Sequence, residues 1–399
     1  MAELKKGIAQ FQLIGKAKIT DFTYKIDEHS AKKNSDWIYN QLNLGVDCGL
    51  GNTVYSDLMG GYGSERDNVL YVHGTKENDK GKIVDDYKNK YEIDWEDRKN
   101  ESVISEIGKR CFITIGLEKD KKDNTFAKKF LSAYDAIEYI KTNLVEGTVI
   151  NVKGNLVYSI YNDATQVKKE ITSIFLSRYE EEKDFKATFS QTILINKDSV
   201  GKFDKEKKSF PIYAKVIDYT KSYNDKVVKQ NIPFNYNFEI NLDISNPENT
   251  KNFITKIFKV KKNITSIDVL GNIIESQVLI NVSKEDIPKD IQDLISYGVY
   301  TEEEALNKLV VGGSRTKKMV ICKPVIKMVG DDKNKIPKIM MTESKYKEKD
   351  LFFDFMIEDE NKDSESTDTI EKKSTNKILD KIDEKEEDDD MAWLKELGD

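Results

Sequence analysis

The sequence predicts a mainly β chain made of two tandem small barrels with inserted helices, followed by a disordered acidic tail. Three observations carry that reading. Strand-patterned segments run through the first half and are interrupted by one amphipathic helix just before the last two strands. The same helix, turn and strand then recur further along in the same phase. From about Glu358 the composition shifts to Glu, Asp, Lys, Ser and Thr, which cannot bury enough apolar surface to fold. The 399 residues therefore divide into 1–182, 183–357 and a tail, 358–399.

In chain order, the first strand signal is Phe11–Ile26, with a bulge expected at Gly15. The second is Asp36–Val46. A Gly-rich stretch, residues 45–65, reads as a flexible connection and precedes a short strand, NVLYVHG. A polar, lysine-rich insertion occupies roughly 75–107 before strand character returns at CFITIGLE. Ser132 caps a helix with Asp135 near the reciprocal cap position, and Ala133, Ala136, Ile137, Ile140 and Leu144 share one face. Two strands, TVINVKGNLVYSIY and KKEITSIFLSRY, close the unit. A helix between the third and fourth of five strands is the order of the oligonucleotide-binding (OB) barrel.

The second half repeats the first. Val152–Val157, VKGNLV, recurs as VLGNII at Val269–Ile274, displaced by 117 residues. The same displacement carries Ile137 to Ile254, Ile140 to Ile257 and Ile150 to Ile267. This copy has its own helical insertion near 283–313, where Thr301 and Glu304 form a capping box. Its final strands are KKMVICKPVIKMV and LFFDFMI.

Composition narrows the function classes. Three cysteines (Cys48, Cys111, Cys322) and two histidines (His29, His73), all far apart, make neither a disulfide framework nor a zinc site of standard spacing. No apolar run is long enough to span a bilayer, and no signal peptide is visible, so the expected compartment is the cytoplasm. The Gly-rich stretch lacks the Lys-Ser/Thr pair of a phosphate-binding loop, and Cys48 with His73 is one pair without a third member. No catalytic residue, cofactor or metal is expected. The net charge of −7 is unevenly placed: residues 358–399 hold 17 acidic and 7 basic side chains, which leaves the remainder at +3.

Binding finds more support. Grooves for single strands combine lysines for phosphates with aromatic faces for bases. Alternation puts Trp37 and Tyr39 on the polar face of their strand, and Lys16, Lys18, Phe22 and Tyr24 together on theirs. The last hairpin of the first unit gathers Lys153, Tyr161, Lys168 and Lys169. The second unit offers Tyr213, Lys215 and Tyr219, and a basic strand with Arg315, Lys317 and Lys318. The row Phe234, Tyr236, Phe238, Ile240 and Leu242 reads as core. The alternative for the first unit's aromatics is cover for the insertion or for the second unit.

The strand order, the VKGNLVYSIY segment and the acidic tail together resemble single-stranded DNA-binding proteins of bacteriophages, loosely over both halves. The tail, with Asp388, Asp389 and Asp390 before Trp393, Leu394 and Leu397, is similar to those of bacterial single-stranded DNA-binding proteins, although it ends Leu-Gly-Asp rather than Pro-Phe. The resemblance implies a non-enzymatic protein of the host cytoplasm that coats single-stranded DNA during phage replication or recombination. Its tail would recruit replication or recombination proteins. The alternative from another class is a virion or assembly protein whose barrels are protein contacts.

Overall fold

A computed structural model describes residues 3–351 apart from 80, 163, 180, 224–225, 262, 276–286, 288, 298–316 and 331–333. The first barrel is built from β1 (Ala9–Lys18), β3 (Trp37–Asp47), β4 (Thr53–Gly63), β9 (Val149–Tyr161) and β10 (Ala164–Leu176). β1 pairs with β3, β3 with β4, and β4 runs parallel to β10. β10 pairs with β9, and β9 returns to β1. The ring closes in OB order. Helix α2 (Ala133–Asn143) lies between the third and fourth barrel strands, capped by the Ser132 hydroxyl accepting from the Tyr134 N–H. Its Ala136, Ile137 and Ile140 are fully buried.

The second barrel repeats this closure with β11 (Lys186–Ile195), β12 (Ser209–Tyr223), β13 (Lys226–Asn241), α3 (Pro247–Ile257), β14 (Thr265–Ile274) and β15 (Lys318–Pro324). Registers fix the equivalences. Phe11 of β1 faces Gly154 of β9, and Phe189 of β11 faces Gly271 of β14. A Cβ on Gly154 would lie 1.9 Å from the Glu170 carbonyl and 2.6 Å from the Phe11 ring. On Gly271 it would meet the Val320 carbonyl at 2.1 Å and the Phe189 ring at 2.5 Å. The V-x-G-N repeat thus marks one packing solution used twice: glycine, because two strands and a ring close on the same point.

The barrels are also paired to each other. β1 runs antiparallel to β11 with Phe11 opposite Phe189, flanked by Ala9↔Gln191 and Leu13↔Ala187. Because Phe11 and Phe189 are themselves equivalent, a pseudo-twofold axis passes between them. Gly15 marks where β1 leaves this seam: residues up to Ile14 pair with β11, and Lys16–Lys18 pair with β3.

Four expectations are corrected. The predicted strand Phe11–Ile26 is two strands, β1 and β2 (Tyr24–His29), split by a turn in which the Thr23 N–H donates to the Thr20 carbonyl. The Gly-rich stretch is not a connection but β4, paired with β3 from Asp47↔Thr53 to Trp37↔Gly63. Its glycines admit close neighbours: a Cβ on Gly60 would sit 2.8 Å from Ala133 at the start of α2, and on Gly61 2.0 Å from the Ile38 carbonyl. NVLYVHG forms β5 (Val69–Glu77), which pairs with β6 (Ile83–Asp94) in a hairpin separate from the barrel. This begins an insertion that runs on through a 3-10 turn Trp95–Lys99, α1 (Glu101–Ser105), β7 (Ile113–Lys119) and β8 (Thr125–Phe130). Finally, Asp135 does not cap α2. Its carboxylate is buried and holds Arg98 and Lys99 of the insertion at 2.7 Å each.

In the second half, α4 (Lys289–Ser296) lies within the insertion, while Thr301 and Glu304, the predicted start of the helix, lie outside the described residues. The basic strand is divided into β15 and β16 (Ile326–Val329), which pairs with β17 (Ile336–Ile339). β18 (Met341–Glu343) extends the sheet beside β14. LFFDFMI enters the described residues only at Leu351, the buried end of a 3-10 turn. No described helix is long and apolar enough to cross a membrane.

Candidate nucleic-acid interface

On β3 the side chains of Leu42, Leu44 and Val46 are fully buried, so the alternate residues Trp37, Tyr39, Gln41 and Asn43 share the outer face, half-buried. Their neighbours on that face follow from register: Met59 beside Gln41, Asp57 beside Asn43, and Lys18 and Tyr55 on either side of Gly45. A Cβ on Gly45 would be 3.2 Å from both the Lys18 Cβ and the Tyr55 ring, so its absence leaves those two side chains flanking the strand. Lys16 is on this face too, but it is tied to Glu182 at 2.8 Å. That hydrogen bond and the Glu182 charge hold its ammonium above the ordinary lysine range. The Arg66 guanidinium lies 6.0 Å from the Trp37 ring centre.

The face leads into a cleft between the barrels. A cavity of about 420 Å³ is walled by Phe22, Asn43, Tyr55, Asp57, Lys169 and Lys317. Lys169, Glu275 and Lys317 are shared with a larger cavity, about 760 Å³, between the β9–β10 hairpin and the second barrel's Lys215, Asn235, Tyr236, Asn237 and Lys318. Lys215, Asn235 and Asn237 also wall a third, of about 460 Å³, which reaches Tyr213. Shared wall residues set the three cavities side by side, a series termed the trough that runs from Phe22 across the junction to Tyr213.

Its electrostatics are set by partial burial. Lys169 and Glu275, 10% and 6% exposed, form an ion pair between the barrels. The Glu275 carboxylate also accepts from the Tyr55 N–H, and the Asn52 side chain bridges the Glu275 N–H and the Ile273 carbonyl. Burial raises the Asp57 carboxyl above the usual carboxylate range, against the pull of Lys168, Lys169 and Lys317. Lys215 donates to Asn235 at 2.8 Å, and burial lowers its ammonium below the ordinary lysine range. Lys318 is paired with Glu239 at 3.2 Å, whereas Lys168 and Lys317 are exposed.

Of the residues singled out from sequence, the trough brings together Phe22, Lys169, Tyr213, Lys215, Lys317 and Lys318. Lys18, Trp37 and Tyr39 lie along the face leading to it. Tyr161, exposed, is at the tip of the β9–β10 hairpin, and Lys153 is exposed nearer that hairpin's other end. Tyr219 is exposed further along β12. Tyr24 is a correction. The turn before β2 resets the strand phase, so Tyr24 pairs beside buried Leu42 and packs on the core. Burial pushes its hydroxyl up to about 12. Phe22, on the turn itself, stays 86% exposed. Arg315 and the tail residues Asp388, Asp389, Asp390, Trp393, Leu394 and Leu397 lie outside the described residues.

Sequence reading missed Tyr55, Asp57 and Glu275. For the first two the signal was present: in TVYSDLM the buried Val54, Ser56 and Leu58 alternate with Tyr55, Asp57 and Met59. Tyr236 belongs to a row whose Phe234, Phe238 and Ile240 are core as expected, but it is only partly buried and also walls the trough.

The sequence profile of the YorF family matches residues 74–311, more than half of the chain. The chain belongs to the YorF family. The matched region begins inside β5, so most of the insertion is part of what defines the family, together with the last two strands of the first barrel and the first four of the second. No curated protein matches the chain. Among solved structures it is similar to a deletion variant of the single-stranded DNA binding protein from Thermus aquaticus. Identity is 9% and the TM-score 0.27, over 68% of this chain and 88% of that one, a likeness too distant to carry an argument.

Proposed function

We propose that this YorF-family chain binds single-stranded DNA along the trough, without catalysis, and coats it during phage replication or recombination. The observation that carries the reading is the trough: three adjoining cavities cross the barrel junction, with lysines from both barrels and exposed aromatic rings at intervals. Phosphate neutralisation by Lys18, Lys168, Lys317 and Lys318 supplies salt-dependent affinity. Phe22, Tyr161 and Tyr213 supply stacking faces, worth about 1–3 kcal/mol per base. A duplex hides its base faces and cannot use them. The 358–399 tail, at net −10, competes for the same lysines from a tether, and its Trp393 and Leu394 tip is the contact for partner proteins.

Fluorescence anisotropy with labelled single- and double-stranded oligonucleotides over a salt series tests this. The single strand should bind more tightly, and affinity should fall steeply with salt. Lys168→Ala with Lys317→Ala should weaken binding and flatten that slope. Removing residues 358–399, which changes the net charge from −7 to +3, should tighten binding most at low salt. Equal affinity for both forms would refute the proposal.

One observation favours a second reading, as an assembly protein. The β16–β17 hairpin exposes Ile326 and Met328 on one face and Val329 and Ile336 on the other, apolar side chains suited to protein contact. Self-association insensitive to salt, without DNA binding, would select that reading.

A further inference from the structure

The insertion holds reactive groups that the trough does not use. Val72, Ile93, Ile107 and Phe112 form its own small core, and three polar side chains meet beside it. Cys111 Sγ lies over the His73 ring, 3.2 Å from Nδ1 and 3.8 Å from Nε2, and Nε2 is 3.6 Å from Asp85 Oδ1. His73 and Asp85 are 15% and 13% exposed. Their meeting depends on Gly108, where a Cβ would lie 2.6 Å from both Asp85 Oδ1 and His73 Nε2. The backbone fixes the arrangement: the Gly108 N–H donates to the His73 carbonyl at 2.8 Å, and the His73 N–H to Cys111 Sγ at 3.4 Å. Asp85 Oδ1 is buried and has no hydrogen-bond partner among the described residues. An imidazolium N–H drawn in from 3.6 Å would satisfy it. The sequence paired His73 with Cys48, but Cys48 is buried in the main core, and it is Cys111 that His73 meets.

We infer that Cys111 is a nucleophilic thiol with His73 as its base and Asp85 as the positioning residue, and that it reacts with small hydroperoxides. His73 Nδ1 takes the thiol proton, and the thiolate attacks the terminal peroxide oxygen. The O–O bond breaks, sulfur is oxidised by two electrons to a sulfenic acid, and the released alkoxide or hydroxide regains the proton as alcohol or water. The largely buried position favours a small oxidant over a protein thiol. Burial, and after it the Asp85 charge, raise the Cys111 thiol above its ordinary range against the pull of the His73 N–H, so the thiol keeps its proton until His73 accepts it during attack. The other ionisable groups around it are Tyr87, whose ring lies 4.5 Å from that of His73, Tyr91 on β6, Glu106 after α1, and Arg110 beside Asp85.

The full chain contains its own controls, buried Cys48 and exposed Cys322. Brief iodoacetamide pulses from pH 5.5 to 9, read at each cysteine by mass spectrometry, should label Cys111 at pH 6 about tenfold or more faster than Cys322. Hydrogen peroxide followed by dimedone should trap a sulfenic acid at Cys111 ahead of the other two. His73→Gln should abolish the advantage at low pH, and Asp85→Asn, which frees the imidazole, should reduce it even though it removes a charge that raises the thiol. If Cys111 and Cys322 lose reactivity together as the pH falls, or Cys111 stays unlabelled throughout, the inference is overturned. The wild-type profile decides this even if a variant fails to fold.

Discussion

The two barrels cross each other at two equivalent points, and the points are finished differently. By register Tyr158 of β9 corresponds to Glu275 at the end of β14, since each lies four residues beyond its V-x-G-N glycine. At the first crossing Tyr158 is fully buried. Its ring packs on Phe234 and Tyr236, its hydroxyl donates to Gln191 at 3.1 Å, and its N–H donates to Asp218. At the second, Glu275 pairs with Lys169 and opens on the trough. One crossing is a dry joint, filled by a ring with its buried Asp218 carboxylate paired to Lys6, and the other is a polar joint open to the trough. Duplication supplied two copies of a joint, and the proposed site occupies the copy that an aromatic ring does not seal.

Tyr158→Ala should break the comparison hardest, because it empties the dry joint. Loss of a large buried ring costs about 3–5 kcal/mol, which urea unfolding would show as a lowered midpoint. Glu275→Ala leaves Lys169 buried without its partner, at about 3 kcal/mol, but adding Lys169→Met should restore most of that loss. A double variant no better than Glu275→Ala alone would mean that the polar joint is held by something other than its ion pair. A smaller effect tests the equivalence itself. Gly154→Ala and Gly271→Ala each drive a methyl into a backbone carbonyl and a ring, and should destabilise by similar amounts, about 1–3 kcal/mol. A neutral Gly271→Ala would show that the second copy has relaxed where the first has not.

Those glycines also show what could be read in advance. V-x-G-N was legible as a repeat because the packing against Phe11 and Phe189 admits one residue type. The glycines of β4 misled because glycine usually weakens strands. Here Gly60 and Gly61 are required by partners, α2 and β3, that local sequence does not reveal. Tyr24 was misplaced because alternation was carried through a turn. Lys168 and Lys169 read as a cluster of like kind, yet Lys169 is buried in the trough wall against Glu275, while Lys168 stays exposed within reach of the Asp57 charge. The seam between β1 and β11 leaves no mark in composition or period, so the cleft that depends on it could not be located from the sequence.

The smallest expected effect concerns pH. Asp57 takes up its proton at higher pH than an ordinary aspartate, so its negative charge leaves the trough early as pH falls. Single-strand affinity should therefore begin to rise, as pH falls, before an ordinary aspartate would take up its proton. Asp57→Asn should bind somewhat more tightly at pH 7.5 and lose most of that dependence. A pH response unchanged in the variant would place Asp57 outside the path of the strand.

The pseudo-twofold seam has a further consequence. Because Phe11 faces its own equivalent, the edge that β1 presents is close to self-complementary, and a first barrel without its partner could pair through it with another copy. Within one chain, residues 177–185 tether β11 near that edge and raise its local concentration far above that of any neighbouring molecule. The short linker is thus a kinetic safeguard: it lets the internal pairing form ahead of the intermolecular pairing that the same geometry permits.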